Sequence, residues 1–381
     1  MTLILPASTG QVGSDKPRLH ALIIGVAHYP HLPGGGGALA EYTFQLRQVR
    51  SPKPSALAIA DWLFNRYHNQ RVPLGSIELL ISPAYVEGGQ AIEEPTLARI
   101  ESAAYSWFER CHSDAENIAL FYFCGHGVSY KGIDYLLPQD FGDPDPRNHG
   151  EVWKNSIDFT TFKTNMQRRC RANTQIFLGD ACRDSPQGLE ERTPAGVPLI
   201  GGNNTAPLPK TTMYLHATVP EQKVHVPDQS EMTCFSQALL YCLNGGGAER
   251  TSGSNDWRVT TYTVAGTMMK LTSLVGERYD SEQSPDVRIS GKEVLLHQLN
   301  LPTVPGRIDC ETQKARDQSH IRLVHKLRHT LEKASERGKP RPWYADLEQG
   351  DWKIDVDFEE ISAVSEEFFV HPPYFEHVVK A

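Results

Sequence analysis

Two short segments carry residue types that could do covalent chemistry. His126 follows an apolar run in NIALFYFCGHG, and Cys182 follows another in TQIFLGDACRD. A cysteine thiol must lose its proton before it attacks a carbonyl carbon, and a nearby imidazole can take that proton and later return one to the leaving amine. The pair therefore predicts nucleophilic catalysis, with Cys182 as the nucleophile and His126 as the general acid and base.

The glycines on both sides of His126 meet a second requirement of this chemistry, which is access of the substrate backbone to the catalytic residues. Gly125 and Gly127 have no Cβ, so a substrate backbone could approach closely. In such an arrangement the main-chain amides of Gly127 and Cys182 could point at the developing oxyanion, a stabilisation of roughly 3 kcal/mol in known enzymes. A strand-end histidine or a cysteine taken alone is more often structural, and it is their joint occurrence that favours catalysis.

The chain around these segments alternates predicted strands with predicted helices. Apolar runs predict strands at 19–26, 76–81, 117–123, 174–178 and 212–217, and helical spacing predicts helices at 55–67, 95–108, 159–169 and 235–243. This alternation indicates an α/β fold with a mostly parallel sheet covered on both faces. Catalytic groups in such folds gather at the carboxyl ends of the strands, where His126 and Cys182 are expected to meet.

The two segments resemble the His-Gly and Asp/Gln-Ala-Cys-Arg signatures of caspases, metacaspases and bacterial orthocaspases. Cys182 lies 56 residues after His126, and caspases have an interval of about 50. LHALIIGVAHY, GIDYLLPQD, MTCFSQALLYCL and QSPDVRISGKEVLL also resemble family segments, so the similarity spans residues 17–300. The resemblance implies a caspase-like three-layer sandwich.

The same resemblance implies a cysteine endopeptidase that stays latent until a partner or cleavage activates it. Bacterial members of the group act in regulated proteolysis, immunity or cell death. The alternative is a caspase-like scaffold or interaction module whose dyad is idle.

The sequence divides into an N-terminal tail (1–16), a peptidase domain (17–300) and a C-terminal extension (301–381). The segment 184–211 is rich in Pro, Gly and Asn and predicts a flexible activation loop, within which the resemblance makes Arg192 a candidate self-cleavage position. Residues 320–337 predict an amphipathic helix. With the acidic, aromatic-rich run that follows, this helix is expected to pack on the core or bind an activating or regulatory protein.

Substrate preference depends on Asp180, which the resemblance places in the pocket for the side chain preceding the cut. A carboxylate there pairs well with a guanidinium, which predicts cleavage after Arg or Lys. Metacaspases have a second pocket aspartate where this chain carries Ser55. The alternative is that Arg47 or Arg50 forms the pocket floor and selects Asp.

Composition excludes several other classes of protein. The net charge of −8 and the pI near 6.0 argue against a nucleic acid as the direct ligand. An odd number of cysteines without a CxxC pair favours a reducing compartment, and the absence of long apolar windows predicts a cytoplasmic protein without membrane contact.

No cofactor is expected, and the predicted partner is a protein substrate. An acidic loop is formed by Asp134, Asp140, Asp143 and Asp145. It permits a calcium site of the kind that some metacaspases use, and a solvated loop is the alternative.

Overall fold

The computed structural model describes residues 3–4, 16–87, 90–144, 152–185, 195–202, 206–219, 232–251, 256–328, 332–334, 342–358 and 362–380. Its tertiary contacts divide the chain into two compact units. The first unit consists of Met1–Gln237 with Ser281–Val294, and the second consists of Ala238–Asp280 with Leu295–Ala381. The domain boundaries drawn from the sequence stay a prediction.

Strands and helices alternate through the first half of the chain. In chain order the elements are β1 (Leu3–Ile4), β2 (Leu19–Val26), α1 (Pro52–Asn65), β3 (Leu74–Ser82), β4 (Tyr85–Glu87), β5 (Gln90–Ile92), α2 (Leu97–His112), β6 (Ile118–Gly125), β7 (Gly127–Tyr130), β8 (Ile133–Leu136), a 3-10 turn (Val152–Asn155), β9 (Ile157–Asp158), α3 (Phe159–Arg169), β10 (Thr174–Ala181), β11 (Thr211–His216) and α4 (Cys234–Tyr241).

Strands predominate in the rest of the chain. The elements are a π-helical turn (Cys242–Gly246), β12 (Ala248–Arg250), β13 (Trp257–Thr260), α5 (Thr261–Arg278), β14 (Asp286–Gly291), β15 (Leu295–Leu299), β16 (Thr303–Cys310), α6 (Gln313–Gln318), β17 (His320–His325), β18 (Glu332–Ala334), β19 (Trp343–Glu348), β20 (Gly350–Asp357), β21 (Val364–Val370) and β22 (Phe375–Val379).

The first unit is built on a seven-stranded sheet, counted over the described residues. Its strand order is β1-β3-β2-β6-β10-β11-β14. The five inner strands run parallel, while β1 and β14 pair antiparallel at the two edges. The predicted mostly parallel sheet is therefore confirmed, and continuous burial along β2 explains its unbroken apolar sequence.

Helices cover both faces of this sheet. On one face α2 and α3 pack against a core that includes Phe121 of β6 and Phe177 of β10. α1 packs on the other face, and its Ala56 Cβ leaves no room for a side chain at Gly25 of β2. The result is the predicted three-layer arrangement, because alternate residues of each strand point to opposite faces.

Local sequence explains where the helices begin and which face they bury. Asp158 caps α3, accepting a hydrogen bond from the main-chain N–H of Thr161 at 2.8 Å. α2 buries Ile100, Ala104 and Trp107 at helical spacing.

The second unit contains three small sheets in its described residues, of order β12-β13-β15, β19-β16-β22 and β18-β17-β20-β21. The predicted helix at 320–337 is wrong for residues 320–325, because they form β17 and pair antiparallel with β20. Ile321 and Leu323 point into a core around Trp352, so burial follows a period of two rather than 3.6.

Part of the predicted flexible loop is packed in the structure. Val197 exchanges main-chain hydrogen bonds with Ser156 and Asp158, and Leu199 and Ile200 are buried in the core of the first unit. The expectation of a loop without packing is therefore wrong for residues 195–202. The apolar residues of GVPLIGG account for this, since they lie between the turn-forming residues that dominate the composition.

Candidate active site

The register of two strands brings the predicted catalytic residues to adjacent positions. β6 and β10 are parallel neighbours, and Gly125 pairs with Ala181 at their carboxyl ends. His126 and Cys182 are the next residue of each chain segment. Since neighbouring strands lie about 4.8 Å apart, the two residues emerge side by side at one edge of the sheet.

Exposure separates Cys182 from the other cysteines. Of the seven thiols in the chain, six are buried and that of Cys182 is half-buried. Burial raises the pKa of the thiols of Cys111, Cys124 and Cys242, so these groups stay protonated and unreactive. Their interpretation as small packing residues is consistent with this burial.

The imidazole of His126 is oriented by a main-chain carbonyl. Its Nε2 lies 2.6 Å from the carbonyl oxygen of Arg47. A carbonyl only accepts hydrogen bonds, so Nε2 carries the proton in the neutral ring and Nδ1 is left as the basic nitrogen. Burial lowers the pKa of His126, while the Arg47 carbonyl and the charge of Asp184 oppose the shift. The ring is thus kept predominantly neutral near pH 7, as a base must be.

Gly127 lies against the main chain of the cysteine. A Cβ built on Gly127 would come 2.7 Å from the carbonyl oxygen of Cys182 and 2.9 Å from the Cβ of Ala181. Only glycine allows this approach. The backbones of the two residues predicted to form the oxyanion hole are therefore adjacent, and their role in it stays a prediction.

Asp180 is buried in a cluster of hydroxyl groups. The residue is 1% exposed. Its Oδ2 accepts hydrogen bonds from the hydroxyls of Tyr122 at 3.2 Å, Ser236 at 2.5 Å and Thr233. Burial raises the pKa of this carboxyl group, and the hydroxyl hydrogen bonds counteract part of the rise.

Ser55 belongs to the same cluster. The hydroxyl oxygen of this residue of α1 accepts a hydrogen bond from the main-chain N–H of Thr233 at 3.2 Å. None of the described residues forms a salt bridge with Asp180. The thiol of Cys124 is a further, weaker donor to its carboxyl group, and the buried Oδ1 accepts no hydrogen bond from an N–H or O–H group of the described residues. Asp180 is thus a buried carboxylate with one unsatisfied oxygen, two residues from the thiol.

The family model of the caspase domain, Peptidase C14, matches residues 18–349. The chain belongs to the caspase-domain family of cysteine peptidases. The match covers most of the chain, so the resemblance seen in the two short signatures extends over both compact units.

Comparisons with individual proteins give less information about this chain than the family model does. The uncharacterized protein y4kE of Sinorhizobium fredii is 28% identical over 220 residues, which make up 52% of this chain and 62% of that protein. The matched region thus spans less than two thirds of the relative's length. A solved structure described as "Structure of Protease" shares 10% identity with a TM-score of 0.28, over 93% of this chain and 68% of that one. That likeness is too weak to bear on the fold.

Next to the thiol, this caspase-domain protein has a buried ionic network. Arg183 donates to Asp134 at 3.1 Å, to Asp286 at 2.8 Å and to the carbonyl of Thr218 at 3.4 Å. The network ties the end of β10 to β8 and β14. It therefore fixes the main chain that carries Cys182 on its C-terminal side.

The acidic loop predicted from the sequence is divided among several structural roles. Asp134 pairs with Arg183, and Asp140 accepts a hydrogen bond from the N–H of Leu97 at the start of α2. Asp143 lies 3.8 Å from His31, and Asp145 lies outside the described residues. Among the residues whose positions are described, no group of three or more acidic, His or Cys side chains is arranged to hold a metal ion.

The other residues predicted from the sequence are Arg47, Arg50 and Arg192. The exposed Arg47 side chain lines an open surface cavity of about 580 Å³ together with Thr43, Gln45 and Leu46. Arg50 is exposed. The candidate self-cleavage position Arg192 lies outside the described residues. None of the helices in the described ranges has the length and apolar character that crossing a membrane requires.

Sequence reasoning missed the residues that support His126. These are Tyr29, Gln48 and the carbonyl of Arg47. Every residue has a main-chain carbonyl, so the residue type at position 47 could not indicate this role. The HYP segment that follows β2 after one residue was the available signal for Tyr29, since loops at that end of a parallel sheet carry functional residues.

Proposed function

We propose that this protein is a cysteine endopeptidase in which Cys182 is the nucleophile and His126 the general acid and base. The observation that carries the proposal is the placement of the two residues in register, directly after neighbouring parallel strands. Membership of the caspase-domain family supports peptide-bond hydrolysis in general.

The reaction begins when Nδ1 of His126 takes the thiol proton of Cys182. The thiolate attacks the carbonyl carbon of the scissile bond, and the amides of Gly127 and Cys182 stabilise the oxyanion. His126 then protonates the leaving nitrogen, which releases the amine product and leaves a thioester. The imidazole next deprotonates a water molecule, whose attack on the thioester releases the acid product and restores the thiol.

We further propose that the enzyme cuts after Arg or Lys. Asp180 supports this preference, because a buried carboxylate with one unsatisfied oxygen favours a guanidinium or ammonium group that reaches it. Its present cover of hydroxyl groups from Thr233 and Ser236 also supports latency. Activation would then require that this cover move, either when a regulatory protein binds the C-terminal extension or when the chain is cut, with Arg192 as the candidate position.

A role in bacterial immunity or regulated cell death is part of the same proposal. It rests on the resemblance to bacterial members of the group. The protein substrate defines that role, and a Cys182→Ala variant that retains bound substrate would identify it by co-purification.

Substitution of the dyad tests the proposed function. Cys182→Ala and His126→Ala should each reduce kcat/KM on an Arg-aminocoumarin peptide by at least about 1,000-fold, because the two side chains act as one unit. Circular dichroism and the Tm should stay near wild type. Cys310→Ala, which removes a thiol from the second unit, and His68→Ala, at an exposed histidine, are the matched controls. Retention of substantial turnover in either dyad variant would refute the assignment.

A further inference from the structure

Tyr29 is in direct contact with both the backbone and the side chain of His126. Its hydroxyl accepts a hydrogen bond from the His126 main-chain N–H at 2.8 Å and donates one to the carbonyl of Leu137 at 3.2 Å. The two rings lie 4.8 Å apart between centroids, tilted by 42°. Tyr29 is fully buried, so this contact is enclosed by protein.

The surroundings of the Tyr29 hydroxyl are shaped to hold it. A Cβ at Gly125 would lie 2.9 Å from this oxygen, so glycine immediately before His126 leaves the space that the hydroxyl occupies. Burial raises the pKa of Tyr29 far above its ordinary value. The hydroxyl therefore keeps its proton near neutral pH and donates it to the carbonyl of Leu137.

Gln48 holds Tyr29 in turn. Its side-chain amide accepts from the main-chain N–H of Tyr29 at 2.9 Å and donates to the Tyr29 carbonyl at 2.8 Å. The preceding residue is Arg47, whose carbonyl accepts the Nε2 proton of His126. Gln48 thus connects Tyr29, which fixes the His126 backbone, to the Arg47 carbonyl, which fixes the His126 imidazole.

We propose that Tyr29 is a positioning residue for His126, with Gln48 as its support. This inference rests on the proposed function, because it assigns Tyr29 to the general acid and base of that reaction. The Tyr29 hydroxyl fixes the position of the His126 backbone at the end of β6. The Tyr29 ring limits rotation of the His126 imidazole. Together with the Arg47 carbonyl, they hold Nδ1 toward Cys182.

Tyr29→Phe tests this role, since it removes one oxygen atom and keeps the ring. We expect kcat on an Arg-aminocoumarin peptide to fall about tenfold or more with KM within about twofold, because proton transfer is impaired and substrate contacts are kept. The pH profile of Cys182 alkylation by iodoacetamide should shift upward, since the thiolate loses a well-placed imidazolium partner.

Tyr67→Phe is the matched control. It removes a tyrosine hydroxyl that donates to the carbonyl of Val72 at 2.6 Å, in a loop after α1. We expect it to lower the Tm by an amount similar to Tyr29→Phe while leaving kcat and the alkylation profile unchanged. A merely structural Tyr29 would behave in the same way as this control.

Gln48→Glu provides a second variant if Tyr29→Phe folds poorly. It keeps the acceptor for the Tyr29 N–H but loses the donor to the Tyr29 carbonyl, and should shift kcat and the alkylation profile in the same direction. If Tyr29→Phe and Gln48→Glu each keep the wild-type kcat and the wild-type alkylation profile, the inference is overturned. A wild-type enzyme that cuts no peptide, either intact or after cleavage within residues 184–211, would instead refute the proposed function, and the alkylation profile would still decide whether Tyr29 positions His126.

Discussion

Asp180 combines a charge with nearly complete burial. The residue is 1% exposed, and its carboxyl group accepts hydrogen bonds from three hydroxyl groups and the Cys124 thiol, while Oδ1 accepts none from an N–H or O–H group of the described residues. A buried carboxylate without a cation costs folding free energy. Such an arrangement is understandable where the missing cation arrives with the substrate.

Replacement of the Asp180 carboxylate should separate its effect on substrate preference from its effect on stability. Asp180→Asn should lower kcat/KM for Arg and Lys peptides by about 100-fold or more, because the substrate cation loses its counter-charge. The Tm at neutral pH should rise by a few degrees, since the variant buries no charge. Below the ordinary carboxyl pKa this gain should disappear, because the aspartate is then protonated in both the folded and unfolded states.

Aminocoumarin peptides ending in Arg, Lys and Asp measure the preference directly. Asp61→Asn, at an exposed aspartate on α1, is the control. Preferential cutting of the Asp peptide by the wild-type enzyme would instead support Arg47 or Arg50 as the specificity group.

At the scale of elements, the segment 195–202 behaves as part of the core. Val197 forms a parallel bridge with Ile157, and the side-chain amide of Asn165 on α3 donates to the carbonyl of Ile200 at 2.7 Å. The segment therefore stabilises α3 and β9 from outside the sheet. If the proposed activation includes a cut near this segment, the cut must leave residues 195–202 in place, or the stabilisation of α3 and β9 is lost.

Truncation of Ile200 should reveal this contribution. The side chain is 3% exposed in the core of the first unit, so Ile200→Ala should reduce the free energy of unfolding by about 2–4 kcal/mol. Leu208→Ala, in the same predicted loop but 72% exposed, should change it by less than about 0.5 kcal/mol. Urea unfolding measures both, and equal small effects would contradict the packed assignment.

At the scale of the whole molecule, buried neutral histidines make stability depend on pH. Burial lowers the pKa of His20, His126 and His216. Nearby cations add to the effect at two of them: arginines at His20, and Lys163 followed by arginines at His216. In the unfolded chain these groups take up protons below about pH 6.5, while the folded protein resists protonation. Protons therefore favour unfolding as the pH falls below this value.

His20 allows this dependence to be measured. Its pKa falls to about 4 because of burial and the neighbouring Arg110 and Arg18, and its Nδ1 lies 2.8 Å from the hydroxyl of Ser76. His20→Gln should therefore lose less stability between pH 6.5 and 4 than wild type, by up to about 3 kcal/mol. Parallel unfolding curves at the two pH values for wild type and variant would show that His20 does not contribute.

Residue type and local pattern were sufficient to determine the family, the α/β architecture and the positions of His126 and Cys182. Unbroken apolar runs predicted the inner strands of the parallel sheet, because a strand buried on both faces requires apolar residues throughout. Parallel strands end at a common edge, and that rule alone predicted that a histidine and a cysteine 56 residues apart would meet.

Only the tertiary structure decided how these groups are held. The Arg47 carbonyl is a main-chain atom that every residue has, and the hydroxyls on Asp180 come from residues more than 50 positions away. Residues 320–325 satisfied both helical and strand periodicity, and pairing with β20 selected the strand. Such contacts depend on which segments lie next to each other in the folded chain. The local sequence pattern does not specify a partner that is distant in sequence.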